Sequence, residues 1–178
     1  MTWNSFHRRG EILRTVTEVA DARRDGRLPM DVLGVSETFG DELALLGALQ
    51  LRWHTRLAGR IERELMSQPL DLEEAVVAAW QSTADELPGI RAIVDRHRAE
   101  PLDAAMADAM TKSSAKERTL LAVMAGRSSG QDAAAVRVGA AIEERARTTH
   151  APAPARAPAG AHLGSHRLLE RIKAAVAA

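Results

Sequence analysis

The most constraining feature of the sequence is an apolar stripe over residues 37–66. At about 100° per residue, the large apolar side chains of this segment fall within a stripe roughly 100° wide or slightly more. They are Phe39, Leu43, Leu46, Trp53, Leu57, Ile61 and Leu65. Such a stripe predicts one long helix with a single buried face, and that face requires other apolar elements to cover it.

Composition indicates that the covering elements are helices. Hydrophobic residues make up 46% of the 178-residue chain, but aromatic residues only 3%, and tyrosine is absent. The apolar volume therefore comes mainly from Ala, Leu, Val, Ile and Met, which suit close-packed helices. A sheet would call for sustained alternation of β-branched and aromatic residues, and no such run occurs. The predicted fold class is all-α.

Caps, glycines and prolines divide residues 1–148 into a single bundle of five to six helices. Asp71 followed by Glu74, for example, has the spacing of a capping box. The predicted helices cover 5–24, 37–66, 71–87, 90–98, 103–125 and 131–147, with a loop over 27–36. Residues 149–163 form a Pro/Ala-rich linker, and residues 164–178 form a short amphipathic helix.

Charge and composition narrow the classes of function. Residues 1–150 hold 20 basic and 23 acidic side chains, whereas residues 151–178 hold four basic and one acidic. A net-acidic body disfavours nucleic acid as a partner, because a DNA-binding domain usually presents a strongly basic face. The chain has no cysteine, no signal-peptide pattern and no apolar run of membrane-spanning length. A cytoplasmic protein without a membrane span is expected.

Three polar residues interrupt the apolar faces. Gln50 and His54 lie inside the stripe of the long second helix, and Glu117 lies on the apolar face of the helix over 103–125. A buried carboxylate must be paired, hydrogen-bonded or protonated, because an isolated charge in an apolar interior is costly. If the two helices are neighbours, Glu117 meets His54 and Gln50 near Trp53.

This cluster has two interpretations. It could be a polar pocket, made by Gln50, Trp53, His54 and Glu117, that binds a small molecule or metal or transfers a proton. The favoured alternative is structural: Glu117 pairs with an arginine, and His54 and Gln50 form hydrogen bonds within the bundle. The arginines considered as partners are Arg14, Arg52 and Arg56.

The sequence specifies neither a cofactor nor a set of metal ligands. Carboxylate-bridged di-iron bundles use Glu-x-x-His pairs. Here Leu51 and Val94 stand three residues before His54 and His97, and no Glu-x-x-His occurs anywhere. A ferritin-like metal centre is therefore disfavoured.

A row of arginines follows one flank of the long second helix. It consists of Arg52, Arg56, Arg60 and Arg63. Four guanidinium groups in a row could hold phosphates or an acidic partner. The favoured interpretation is a solvated flank whose arginines pair with carboxylates of an adjacent helix.

The end of the chain carries the main functional prediction. After the linker, Ser165 is a good N-cap, and Leu168, Leu169, Ile172 and Val176 have helical spacing, with Arg171 among the basic residues beside them. Burying four such side chains contributes very roughly 6 to 10 kcal/mol, whereas ordering about a dozen residues costs a comparable amount or more. The segment is therefore expected to fold on another surface. Folding back on its own bundle and an idle tail remain the alternatives.

The layout of helical body, Pro/Ala linker and terminal helix resembles that of cargo proteins loaded into bacterial protein shells. The resemblance covers only about the last 30 residues and is architectural. The predicted function is a non-enzymatic cytoplasmic module that acts through protein partners, and self-association is left open. The alternative is a small-molecule or metal-binding bundle with a buried Glu/His site, either catalytic or encapsulated in a shell.

Overall fold

The computed structural model describes residues 3–67, 69–130 and 132–151, with side chains from His7 onward in the first helix. These residues form an all-α bundle, as predicted. Its seven helices are α1 (Trp3–Arg23), α2 (Val35–Phe39), α3 (Glu42–Met66), α4 (Leu72–Glu86), α5 (Pro88–Ala99), α6 (Ala104–Met124) and α7 (Ala133–Thr148). None of the helices in this part of the chain has the length and apolarity needed to cross a bilayer.

The predicted terminal helix lies outside the described residues, as does nearly all of the predicted linker. The proposed docking residues of that helix are therefore also outside them. They are Leu168, Leu169, Arg171, Ile172 and Val176.

Four of the helices begin at an aspartate cap. In each case the carboxylate accepts a hydrogen bond from a backbone N–H three residues on, which the helix itself leaves without an acceptor. The pairs are Asp41 with Ala44, Asp71 with Glu74, Asp103 with Met106, and Asp132 with Ala135. The predicted cap at Asp71 is thus confirmed, and the starts of α6 and α7 lie within two residues of the predicted ones.

The prediction of one continuous helix over 37–66 is wrong. The segment is divided into α2 and α3 by Gly40, whose φ of +83° is favourable for glycine, and by Asp41, which is extended and caps α3. The predicted loop over 27–36 correspondingly gives way to α2 at Val35. Phe39 is still buried, although it belongs to α2 rather than to the long helix.

A single core connects all seven helices. α3 is central and contacts α1, α2, α4, α5 and α6, whereas α7 packs on α4 and α6. The largest side chains of the core are Trp53 on α3 and Trp80 on α4, both almost fully buried. This arrangement places the polar residues of α3 and α6 at the centre of the bundle.

The helices α6 and α7 approach each other at Gly139. A β-carbon at this position would lie 1.8 Å from the carbonyl oxygen of Arg118 on α6, so only a glycine permits the observed distance. The close approach holds Glu143, one turn further along α7, against the same part of the core as Glu117.

Candidate functional site

The candidate site is built around the carboxylate of Glu117, which is only 2% exposed. Its Oε1 accepts hydrogen bonds from Trp80 Nε1 at 3.2 Å and Arg91 Nη1 at 3.3 Å. Its Oε2 lies 3.4 Å from His54 Nε2 and 3.9 Å from Arg98 Nη2. The expected meeting of Glu117 with His54 is therefore present, and donors on α3, α4 and α5 surround the carboxylate.

A second buried carboxylate, Glu143 on α7, lies next to the first. It accepts from Arg98 Nη1 at 2.6 Å, from Arg118 Nε at 3.0 Å and from Arg147 Nη2 at 2.8 Å. Arg98 thus lies between the two carboxylates, within ion-pair distance of both. This arginine joins α5 to both α6 and α7.

Asp95 on α5 completes the cluster. It accepts from Arg91 Nη2 at 2.5 Å and from both terminal nitrogens of Arg147, at 3.0 and 2.7 Å. We call the whole set the interhelical ion network. Its members are Arg91, Asp95, Arg98, Glu117, Arg118, Glu143 and Arg147. Three carboxylates and four guanidinium groups leave it with one positive charge in excess.

The positive surroundings keep the three carboxylates ionised. Burial by itself raises the pKa of Glu117, but the hydrogen bond from His54 and the charge of Arg91 hold that pKa below its ordinary value. Burial likewise raises the pKa of Glu143, but Arg147 and Arg98 lower it to about 2. The pKa of Asp95 is lowered in the same way, against its burial, by Arg147 and Arg91.

Two tryptophans form the apolar wall of the network. Their rings meet edge to face, with the centroids of Trp53 and Trp80 5.8 Å apart. The guanidinium carbon of Arg91 lies 4.8 Å from the Trp53 ring centroid, and that of Arg147 lies 5.1 Å from the Trp80 centroid. These cation–π contacts stabilise the buried Arg91 and the partly exposed Arg147 against the two rings.

The structure brings together only part of the set predicted from the sequence. Trp53 and His54 lie at the network, but Gln50 donates from Nε2 to Met110 Sδ at 2.8 Å. The expected arginine partners of Glu117 were wrong: in place of Arg14, Arg52 and Arg56, the partners are Arg91 and Arg98. Helix α5, which carries them, packs against α6 and so brings their side chains to Glu117.

Two of the four arginines in the row on α3 pair with a carboxylate of a neighbouring helix, as expected. Arg56 Nη2 and Arg60 Nη2 lie 2.6 and 3.0 Å from the two oxygens of Glu86, at the end of α4. This agrees with the interpretation of the row as a flank paired with a neighbouring helix.

Glu143 and the arginines of α5 and α7 were not predicted from the sequence. A signal was present, because Glu143 follows the buried Ile142 on the apolar face of α7. The spacings of Arg91 with Asp95 and of Glu143 with Arg147 are both i, i+4. Those spacings predict local pairs, but not that the pairs meet in one buried cluster.

The chemical capacity of the site is limited by the protein groups that enclose Glu117. Its Oε1 accepts two hydrogen bonds, its Oε2 lies 3.4 Å from His54 Nε2, and four clefts on the described surface are lined by other residues. Within residues 7–151 as described, no three histidine or acidic side chains are placed to hold a metal ion. The observed contacts favour an interhelical clamp that fixes α3–α7 relative to one another.

No known family model, curated protein or solved structure matches the chain.

Proposed function

We propose that the protein is a non-enzymatic, cytoplasmic helical module that acts by binding other proteins, with residues 164–178 as its docking element. The observation that carries this proposal is the enclosure of the Glu117 carboxylate by Trp80, Arg91 and His54. The Glu117 carboxylate, the best candidate for a reactive group in the bundle, thereby serves to link the helices. We therefore assign the function to the surface and the terminal segment.

The contacts of His150, where the chain leaves the helical bundle, support the proposal of a tethered docking element. His150 Nε2 lies 3.0 Å from Asp85 Oδ1, and its ring meets the Trp80 ring edge to face with centroids 6.4 Å apart. The chain is thus held at the end of α4. From there, a Pro/Ala linker of extended geometry could place the terminal helix roughly 30 to 45 Å away.

The chemistry of the terminal segment indicates the kind of partner. Leu168, Leu169, Ile172 and Val176 would enter an apolar groove, and the neighbouring Arg171 would face acidic side chains at its rim. Since ordering the segment offsets most of the gain from burial, one copy should bind weakly. Several copies acting together would bind firmly, as expected of a protein collected inside an assembly or on a scaffold.

A small-molecule or metal site at His54 and Glu117 is the alternative. A quarter of the His54 side chain is exposed, which gives the cluster access to solvent. It has the weaker support, since a ligand would have to displace Trp80 or Arg91 from Glu117.

The test uses the full-length chain with charges added to one or the other face of the terminal helix. Leu169→Glu with Ile172→Glu places two charges on the apolar face, and the matched control, Ala174→Glu with Ala177→Glu, places them on the opposite side. Affinity purification with quantitative mass spectrometry should show a partner that is retained by the wild type and the control and lost by the first variant. Identical partner sets for all three proteins would refute the docking role.

A further inference from the structure

The face of α3 opposite its buried stripe forms a surface groove with α1. The groove has a volume of about 460 Å³, and its floor consists of Leu13 from α1 and of Ala48, Leu51, Thr55 and Gly59 from α3. The side chain of Leu51 is 68% exposed and contributes apolar surface to this groove. We call this surface the α3 groove.

The length of the α3 groove matches a helix. Its lining residues on α3 run from Ala48 to Arg63 at spacings of three and four. At 1.5 Å per residue this is about 22 Å, or four helical turns. Small side chains on the floor and one exposed leucine suit the apolar face of an amphipathic helix.

The charge of the α3 groove is positive. Among the described residues that line it, the charged ones are Arg52, Arg56 and Arg63. The charge of Arg56 is offset by Glu86 at 2.6 Å, whereas neither Arg52 nor Arg63 forms an ion pair in the described part of the chain. A carboxylate of a partner would therefore pair with these two guanidinium groups without displacing an acceptor of the protein itself.

Gly59 leaves room for close approach. A glycine inside a helix costs roughly 0.5–1 kcal/mol relative to alanine, and no packing among the described residues requires it here. A β-carbon at Gly59 would meet only the guanidinium of Arg63, at an ordinary contact distance of 3.7 Å. The space above Gly59 therefore opens to the groove and admits a partner's backbone.

We propose that the α3 groove binds an acidic amphipathic helix of a partner protein. The apolar side chains of that helix would cover Leu51 and Gly59, and its carboxylates would pair with Arg52 and Arg63. The chain's own terminal segment is a poor occupant, because residues 151–178 hold four basic side chains and only one acidic side chain. Such a segment would be repelled by the arginines of the groove. This surface is independent of the terminal helix, so that either proposal can fail without the other.

The experiment titrates the full-length protein with synthetic peptides of about 16 residues, the length of the groove. One peptide carries leucines on one face and glutamates elsewhere, a second has glutamine for each glutamate, and a third is the segment 164–178. Binding is measured by fluorescence anisotropy, and the site is mapped from amide chemical shifts. The acidic peptide should bind more tightly than the other two, with shifts concentrated in residues 48–63.

Substitutions in the groove test the contacts. Arg52→Glu with Arg63→Glu should weaken binding of the acidic peptide at least about tenfold, whereas Arg137→Glu, on the exposed side of α7, should leave it unchanged within about twofold. Gly59→Leu should also weaken binding, since it fills the groove. Thermal unfolding checks that each variant is folded, and Arg52→Gln with Arg63→Gln replaces the charge reversal if that variant unfolds.

Several results would overturn the proposal. Equal binding of the acidic and glutamine peptides would exclude selection by charge. Changes in amide chemical shift confined to residues outside α1 and α3 would exclude the α3 groove as the binding site. Tighter binding of the 164–178 peptide in the groove would identify the chain's own terminus as the occupant. Laurate serves as a further probe in the same titration. Binding of laurate but of neither synthetic peptide would assign the groove to small anionic amphiphiles.

Discussion

Arg91 Nη1 and Glu117 Oε1 lie 3.3 Å apart between α5 and α6, with only 7% and 2% of the two side chains exposed. Pairs in such surroundings contribute little net stability relative to well-packed apolar residues, because both ions lose their hydration. Removal of one partner is nevertheless costly, since it leaves a buried charge uncompensated. We therefore expect the pair to matter mainly for how α5 packs on α6.

The substitution Glu117→Gln should lower the free energy of unfolding by about 3 kcal/mol. It removes the negative charge that faces Arg91 and Arg98 while nearly preserving side-chain volume. Urea unfolding followed by far-ultraviolet circular dichroism measures the change. Arg23→Gln is the control, because it breaks an exposed ion pair with Asp31 and should cost less than about 1 kcal/mol. An unchanged or raised stability of Glu117→Gln would instead favour a functional role for this carboxylate.

Acid should destabilise the protein through its buried carboxylates. The pKa of Glu143 is about 2 in the folded protein against an ordinary 4.5. Because the folded-state pKa is the lower one, the stabilisation is complete above pH 4.5 and is lost as the pH falls toward about 2. For Glu143 it amounts to about 3 kcal/mol, and the lowered pKa values of Glu117 and Asp95 act in the same direction.

Urea unfolding at pH 7, 5, 4 and 3 measures this dependence. The free energy of unfolding should decrease below about pH 5, and Glu143→Gln should be less stable at neutral pH but depend less steeply on pH. A wild type and variant that decline in parallel would mean that Glu143 is not responsible.

Replacement of two glycines by alanine should change the stability of the protein in opposite directions. Gly139→Ala would place a methyl group 1.8 Å from the Arg118 carbonyl oxygen, so α6 and α7 must separate, at a cost of about 3 kcal/mol or loss of folding. Gly59→Ala meets no such contact and should stabilise α3 by about 0.5–1 kcal/mol. Thermal unfolding of the two variants provides the comparison. Equal melting temperatures would show that the helices α6 and α7 are not in backbone contact.

The hydrogen bond of the N-cap of α6 should contribute to the free energy of unfolding. Asp103 accepts from the Met106 N–H at 2.7 Å, and Asp103→Ala should lower the free energy of unfolding by about 1 kcal/mol. Asp103→Asn keeps an acceptor oxygen and should recover most of the loss. If alanine and asparagine proved equally stable, the hydrogen bond would not be the source of the effect.

The helices were largely predictable because their signals are local. Asp71 and Asp103 precede apolar segments of helical period, and the structure caps α4 and α6 at these residues. The break at Gly40 was missed because Phe39 continues the apolar stripe of α3. Periodicity places a side chain on a face, but it does not report a left-handed residue between two helices.

The candidate site was predictable only in part. Glu117 and His54 stand out because each is polar within an apolar face, and the two lie 3.4 Å apart in the structure. Their arginine partners could not be chosen from the sequence, since several arginines lie on nearby helices. Arg91 reaches Glu117 because of the way α5 packs against α6.

The sequence by itself determined the all-α class, the cap of α4 at Asp71 and the presence of a carboxylate on the apolar face of α6. Only the tertiary structure decided that Glu117 meets His54, Trp80, Arg91 and Arg98, and that Glu143 lies close by. The physical reason is that hydrophobic periodicity and capping act within a few residues, whereas the pairing of buried charges depends on which helices pack together.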